Sequence, residues 1–375
     1  MNLRKTALLV VLILSLIVPQ TVLAAGHKIG YNYFGNAGVL ITLANNSKYV
    51  VEAFGGTTVA VDNNFSVDKI VTDLENLIAA GVDGLLVWAP TPTLYPVISQ
   101  MCLEARVPFV LNDKVPADPA LQEMLRQNPY FVGGVAPINA DYGKAIAEYV
   151  VAQGSKTCIV NTSQPGDPSD EPRLLAFTEI FEANGGKILD IVRSSGTDGG
   201  KSQVENALIA HPNPDFIYGV GPSFGIGAVQ ALERYNYDTI VVTSGLEEAV
   251  LNLLADGEIA MANGDNWICG SLSALMLQAF LDGNPLKDEN GRAPIIDNVG
   301  FYPVTSEQVD LYKRFFIQEQ PFSVEEILAM SGSDFDLAAF TKIIEEFTLE
   351  NRMAAKVSEG KVTVEELEAV GINVK

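Results

Sequence analysis

Two successive series of short apolar runs, each run followed by a helix-like stretch, constrain the fold of this chain most. The runs are nearly continuous in Val, Ile, Leu and Tyr, as parallel strands buried on both faces are. The expected strands are 28–34, 57–62, 83–88, 107–112 and 130–135 in the first series, and 157–161, 187–193, 216–220 and 239–243 in the second. Helices with clear bounds are expected at 94–106, 139–153, 170–184, 201–210, 223–235 and 247–256. Two more are expected, one that ends near Phe54 and one that begins after Ser66. This order predicts an α/β fold with two doubly wound parallel-sheet lobes.

The chain changes character from about Thr305 onward. Three Ser/Thr-x-x-Glu/Gln patterns, which favour capping boxes at helix starts, occur at 305–308, 323–326 and 363–366. We therefore expect a helical C-terminal extension.

The N-terminal segment has the pattern of an export signal. Arg4 and Lys5 form a positive region, and the apolar run 7–18 is well short of the ~20 residues that span a bilayer. Val22 and Ala24 occupy the −3 and −1 positions of a small-residue cleavage site. We expect a cleaved signal peptide over 1–24 and a periplasmic or secreted mature protein. A lipid anchor is not expected, because the next residue is not Cys.

Charge and residue counts argue against several classes of function. The formal net charge is −22, so nucleic acid and anionic membranes are not expected partners. The odd set Cys102, Cys158 and Cys269 lies in separate apolar stretches and predicts buried free thiols rather than disulfides. The only histidines, His27 and His211, provide no metal-ligand spacing and no catalytic triad. We therefore expect no catalytic residues, no metal and no cofactor.

Residues that follow the strands are the candidates for ligand contact, because open α/β sheets bind ligands beyond their carboxyl ends. The candidates are Tyr33, Phe34, Asn36, Trp88, Thr91, Asn112, Asp113, Lys114, Ser163, Gln164, Gly221, Ser223, Ser244, Gly245 and Glu247. They combine aromatic rings, carboxylate and amide acceptors and a few cations. This mixture suits a neutral polyhydroxylated ligand, whose apolar face stacks on rings while its hydroxyls pair with planar polar groups.

Several stretches between Lys28 and Leu286 occur in the order and spacing of one family. They are NNFSVD at 63–68, IAAGVDGLLV at 78–87, RVPFVLND at 106–113, NADYG at 139–143, RLLAF at 173–177, HPNPDFIY at 211–218 and GAVQAL at 227–232. Through them the chain resembles the type I periplasmic binding proteins, the ribose- and galactose-binding group that serves ABC importers.

The resemblance implies roles for individual residues. Asp113 matches the carboxylate that accepts sugar hydroxyls, and Lys114 stands where relatives often carry Arg. Arg173 matches the second-lobe arginine that reaches into the cleft. Further contacts are implied for Tyr33, Phe34 and Asn36 in the first loop and for Asp265 and Asn266 near a chain crossing.

Two departures from the family pattern bear on the ligand. Gly221-Pro222 replaces a usual Asn-Asp pair, and Gly245 stands where a sugar-binding Asp is usual. We expect the second-lobe wall to be roomier and less polar, which would admit a larger or less hydroxylated ligand.

The resemblance implies an extracytoplasmic solute-binding protein, acting as a monomer, that closes on a sugar-like ligand and delivers it to an ABC permease. The expected units are the signal peptide 1–24, an N-terminal lobe of 25–135 plus 265–297, a C-terminal lobe of 136–264 plus 298–304, and the extension 305–375 packed on the lobes.

Other functions stay open at this point. The ligand could instead be a nucleoside or another larger molecule, and the protein could serve a sensor or chemoreceptor. A secreted carbohydrate-active enzyme would need a carboxylate pair such as Asp167 and Asp170. A dinucleotide enzyme is disfavoured, because the glycines of 219–225 have the spacing Gly-x-Gly-x-x-x-Gly.

Overall fold

A computed structural model describes residues 26–374 except 36–37, 65, 168 and 265–266. The expected signal peptide lies outside the described residues, as do Asn36, Asp265 and Asn266.

The first lobe is built on a parallel six-stranded sheet. Its strands are β1 (Lys28–Tyr33), β2 (Thr57–Asp62), β3 (Gly84–Val87), β4 (Phe109–Asn112), β5 (Phe131–Pro137) and the late strand β11 (Ile295–Val299). Their order across the sheet is β11-β5-β4-β3-β1-β2, and all neighbours are parallel. The five expected strands are present, with ends shifted by at most two residues. The sequence did not predict β11, which joins this sheet after the chain has passed through β6 to β10 of the second lobe.

The second lobe repeats the arrangement. Its strands are β6 (Thr157–Thr162), β7 (Lys187–Arg193), β8 (Phe216–Gly219), β9 (Ile240–Ser244), β10 (Met261–Gly264) and β12 (Tyr302–Val304). The order is β12-β10-β9-β8-β6-β7, and only β12 runs antiparallel, against β10. Four of the strands were predicted from the sequence, whereas β10 and β12 were not.

Helices cover the faces of both sheets. They are α1 (Gly38–Ala53), α2 (Val67–Ala79), α3 (Leu94–Ala105), α4 (Pro119–Arg126), α5 (Asn139–Ala152), α6 (Asp170–Ala183), α7 (Gly196–Ala210), α8 (Pro222–Leu232), α9 (Glu248–Ala255) and α10 (Ile268–Leu281). Two of them, α4 and α10, were not predicted, and α7 begins at Gly196 rather than at residue 201. In the described part of the chain, every helix is too short or too polar to cross a membrane.

The expected helical extension is present and packs on both lobes. It comprises α11 (Val309–Tyr312), a π-helical turn (Lys313–Gln318), α12 (Val324–Ala329), α13 (Leu337–Glu346), α14 (Leu349–Ser358) and α15 (Val364–Glu368). Asn284, after α10 of the first lobe, donates to the carbonyls of Gly332 and Phe335 at 2.7 and 2.9 Å. Lys313 donates to the side chain of Asn252 in α9 of the second lobe at 2.6 Å.

Two of the three expected capping boxes form. The boxes at Ser323 and Thr363 are complete, with side chain and backbone paired in both directions. The prediction at Thr305 was wrong in part. Its backbone N–H donates to the Gln308 side chain at 3.3 Å, but the segment makes a turn and helix α11 begins only at Val309.

All three cysteines are buried free thiols, as the sequence predicts. Burial raises the pKa of Cys102 to about 12 and also raises the pKa values of Cys158 and Cys269. Because the thiolate is the reactive form, we expect no fast reaction of the native protein with a disulfide reagent at neutral pH. Unfolding in urea should release all three thiols for reaction. One rapidly titrating thiol in the native protein would contradict this burial.

Candidate functional site

A cavity of about 320 Å³ lies between the two lobes, where strands of both sheets end. Of the expected ligand-contact residues, seven line it: Trp88, Asp113, Lys114, Arg173, Gly221, Ser223 and Gly245. Phe34 is not part of the lining, but its ring stacks on Trp88 at 4.9 Å between centroids. Tyr33 is not part of the lining; its ring stacks on Tyr31 at 6.3 Å.

The first-lobe wall holds Asp113 in a fixed orientation. Asp113 follows β4 directly and has a left-handed φ of 66°, which Asp tolerates better than most residues. Its side chain is 4% exposed, and Trp88 Nε1 donates to its Oδ2 at 3.0 Å. The Lys114 ammonium lies 3.9 Å from the same oxygen and 5.8 Å from the Trp88 ring centroid. The wall therefore combines an aromatic ring, an oriented carboxylate and a cation.

The second-lobe arginine is held by neutral partners. Arg173 Nε and Nη2 both donate to Asn139 Oδ1, at 3.0 and 2.7 Å, and Nη1 donates to the Val220 carbonyl at 3.4 Å. The guanidinium carbon lies 4.5 Å from the centroid of the Tyr142 ring. Within the described residues no carboxylate forms an ion pair with Arg173, whereas neighbouring Glu171 pairs with Arg193 at 2.6 Å. These bonds use three of its five N–H groups and leave the others for the cavity.

Two contacts bridge the lobes near the cavity. Lys114 of the first lobe donates to the Ser169 hydroxyl of the second. Glu247, just before α9, accepts a hydrogen bond from the Val39 N–H in the first turn of α1. Burial raises the pKa of Glu247. Polar contacts between the lobes therefore lie beside the cavity.

The two unusual glycines differ in the space around them. At Gly221 the backbone is extended, with φ −132°, and an added Cβ would lie 3.5 Å from Phe224, an ordinary contact distance. At Gly245 φ is +122°, and an added Cβ would lie within 3.0 Å of the Pro222 ring. The expectation of a roomier wall therefore holds at Gly221 but is wrong at Gly245, where Pro222 fills the space.

Three residues that precede or begin α6 line the cavity but were not predicted as ligand contacts: Ser169 was not selected, and Asp167 and Asp170 were named only as the carboxylate pair of an alternative enzyme. Asp167 has the turn role that local sequence suggests, because its Oδ1 accepts from the N–H groups of Ser169 and Asp170 at 2.8 and 2.9 Å. Asp170 begins α6, and its side chain is buried toward the cavity. Their position in the chain could have identified these residues, because they follow the carboxyl end of β6, where ligands bind in open α/β sheets.

Comparisons with known proteins agree with this geometry. The family described as periplasmic binding protein domain matches residues 32–285. A curated relative, the ABC transporter L-arabinose-binding periplasmic protein of Azospirillum brasilense, is 23% identical over 214 residues. That match covers 52% of this chain and 64% of the relative, so the chain spans less than two thirds of the relative's length.

Solved structures share the fold. A periplasmic ribose ABC transporter protein from Conexibacter woesei aligns with a TM-score of 0.65 and 21% identity, over 78% of this chain and 96% of that one. The arabinose-transporter binding protein of Shewanella sp. ANA-3, bound to L-arabinofuranose, aligns with a TM-score of 0.66 and 19% identity, over the same shares of the two chains. An ABC transporter solute-binding protein from Bacillus halodurans with bound myo-inositol has a TM-score of 0.65 and 17% identity, over 77% and 98%. With two doubly wound lobes, a cavity between them and a family match over residues 32–285, this chain belongs to the periplasmic binding protein family.

Proposed function

We propose that this protein is an extracytoplasmic solute-binding protein that captures a small polar ligand, a sugar or sugar-like polyol, and delivers it to an ABC import permease. The observation that carries the proposal is the cavity between the lobes, in which Asp113 and Trp88 of one lobe face Arg173 of the other. The names of the relatives, which include ribose, arabinose and myo-inositol proteins, support a polyhydroxylated ligand. The N-terminal signal pattern supports action outside the cytoplasm.

The size of the cavity favours a small ligand over a nucleoside or disaccharide. About 320 Å³ is at the lower end of the range of roughly 300–1,000 Å³ typical of small-molecule sites. Pro222, which fills the space beside Gly245, is part of the reason. A monosaccharide or cyclitol fits this volume.

Binding without turnover accounts for the lining better than hydrolysis does. The described lining contains neither His nor Cys. In the candidate carboxylate pair, Asp167 is occupied by two backbone N–H groups, which suits a loop-forming role rather than that of a nucleophile or base. The proposal therefore includes no chemical step.

The proposed division gives each lobe one of the two sheets, with boundaries that lie two residues before the ends of β5 and β11. We assign 25–135 plus 265–297 to the N-terminal lobe and 136–264 plus 298–304 to the C-terminal lobe, with the extension 305–375 packed on both. A ligand that contacts both lobes stabilises the closed form, because only there are both sets of contacts made.

Ligand-driven closure is the expected result that tests this function. The mature protein is titrated by calorimetry with L-arabinose, D-ribose, D-galactose, myo-inositol and allitol, and the bound compound is then recovered and identified. We expect one site per chain, unchanged recovered ligand, and a smaller radius of gyration in small-angle scattering at saturation. A chemical product, or binding with no change in radius of gyration, would contradict the proposal.

A further inference from the structure

Asp170 is a buried carboxylate without a partner among the described residues, in a cavity whose other charged groups are paired or hydrogen-bonded. It is the first residue of α6, is 8% exposed and lines the cavity. Its backbone N–H donates to Asp167, but in the described part of the chain its carboxylate takes part in neither a hydrogen bond nor an ion pair. Arg173 lies one turn further along the same helix and donates instead to Asn139 and Val220.

A carboxylate in this state needs a donor. Burying an ionised group without a hydrogen-bond donor is costly, and an ionised Asp can only accept hydrogen bonds. The cations that line the same cavity do not pair with this carboxylate. Lys114 donates to Ser169, and Arg173 donates to Asn139. The Asp170 carboxylate is therefore open to a donor that enters the cavity, and a ligand donor would replace water there.

Asp170 also lies beside the place where a side chain is missing. A Cβ added at Gly221 would lie 3.9 Å from Asp170 Oδ1. The second-lobe wall is therefore not short of acceptors, contrary to the expectation drawn from Gly221. A carboxylate from α6 supplies one next to the gap that glycine leaves.

We infer that Asp170 is a specificity-determining residue that accepts a hydrogen bond from a donor group of the ligand, on the face opposite Asp113. This inference rests on the proposed solute-binding function. The ligand donor is a hydroxyl of a neutral polyol or the ammonium group of an amino sugar. Ligands that present a carboxylate or phosphate at this face are rejected, because like charges in a desolvated site repel.

The test compares variants of the mature protein by calorimetry. The probes are the five neutral polyols named above, with D-galactosamine and D-galacturonate as amino and acidic counterparts of D-galactose. Because a hydrogen bond to a charged group contributes about 1.5–3 kcal/mol, Asp170→Ala should weaken the best-bound probe by about tenfold or more. Asp170→Asn keeps the size of the side chain and should weaken it by roughly fivefold, since a neutral bond is weaker than a charged one.

The matched control is Glu179→Ala. Glu179 is an exposed acid on the same helix, so this variant removes the same charge without touching the cavity. It should bind as the parent does. The melting temperature of each ligand-free variant separates a folding defect from a lost contact.

Each outcome of the calorimetry either supports or overturns the role of Asp170 in ligand binding. Weaker binding by folded Asp170 variants and not by Glu179→Ala supports it, and preference for galactosamine over galactose identifies the donor as ammonium. Unchanged affinity in a folded Asp170 variant, an equal loss in Glu179→Ala, or tight binding of galacturonate overturns it while leaving the solute-binding function intact. A parent protein that binds none of the probes contradicts the proposed function as well.

Discussion

Replacing Asp113 by Asn is expected to weaken binding of the best-bound polyol by about tenfold or more, because the single oxygen of Asn would be taken by Trp88 Nε1 and the charge-assisted bond to the ligand would be lost. The carboxylate is nearly inaccessible and is oriented by Trp88 Nε1, so a ligand hydroxyl meets a fixed acceptor. Asn is the informative substitution because Asp113 has a left-handed φ of 66°, which Asn also tolerates. Calorimetry gives the affinity, and the melting temperature of the ligand-free variant should stay close to that of the parent.

Two further variants test whether the loss of affinity comes from the Asp113 carboxylate itself. Asp113→Ala should lose both affinity and stability, because Ala is unfavourable at this backbone conformation and leaves the buried Trp88 N–H without its acceptor. Glu350→Gln removes an exposed charge from the extension and should change neither. If folded Asp113→Asn binds as tightly as the parent, the carboxylate does not contact the ligand.

Sequence patterns predict the sheets well because buried parallel strands have a strong signature. Strands β1 to β9 were located within two residues, since most of them are buried on both faces and have no polar alternation, although the edge strands β2 and β7 are only partly buried. The missed elements lack such a pattern. Helix α10 is apolar on every side and shows no helical period, and it is buried over most of its length. Strands β11 and β12 are short, and each joins a sheet whose other strands all lie earlier in the sequence.

The candidate site could be predicted only in part, because some of its features depend on packing between segments that are distant in the sequence. Asp113, Lys114 and Arg173 follow strands or match family motifs, and all three line the cavity. Asp170 could not be selected as a ligand contact, because a position at the start of a helix already explains an acidic residue there. Its role depends on whether a donor of the protein already reaches its carboxylate. Arg173 does not, because it donates to Asn139 instead. The space beside Gly245 likewise depends on Pro222, a contact that no local pattern reports.

The extension is joined to the lobes through an aromatic cluster centred on Trp267, which directly precedes α10. Trp267 is 1% exposed, and its Nε1 donates to the Tyr312 hydroxyl at 3.0 Å. Its ring meets Phe316 and Phe347 of the extension edge to face, at 6.2 and 6.4 Å between centroids. Tyr302 of β12 stacks on Phe347 at 5.2 Å, so the cluster also includes the last strand of the second sheet.

Trp267→Ala should therefore lower the free energy of unfolding by about 3–5 kcal/mol, the usual cost of removing a buried large aromatic side chain. Urea denaturation measures the loss, and limited proteolysis should cut the extension faster than in the parent because its anchoring ring is gone. Trp267→Phe keeps part of the packing but removes the bond to Tyr312, so its loss should be smaller. Leu328→Ala, at an exposed position of the same extension, should stay within about 0.5 kcal/mol of the parent. An Ala variant as stable and as protease-resistant as the parent would show that the extension is not held through this cluster, and its contacts at Asn284 and Lys313 would then be the ones that attach it.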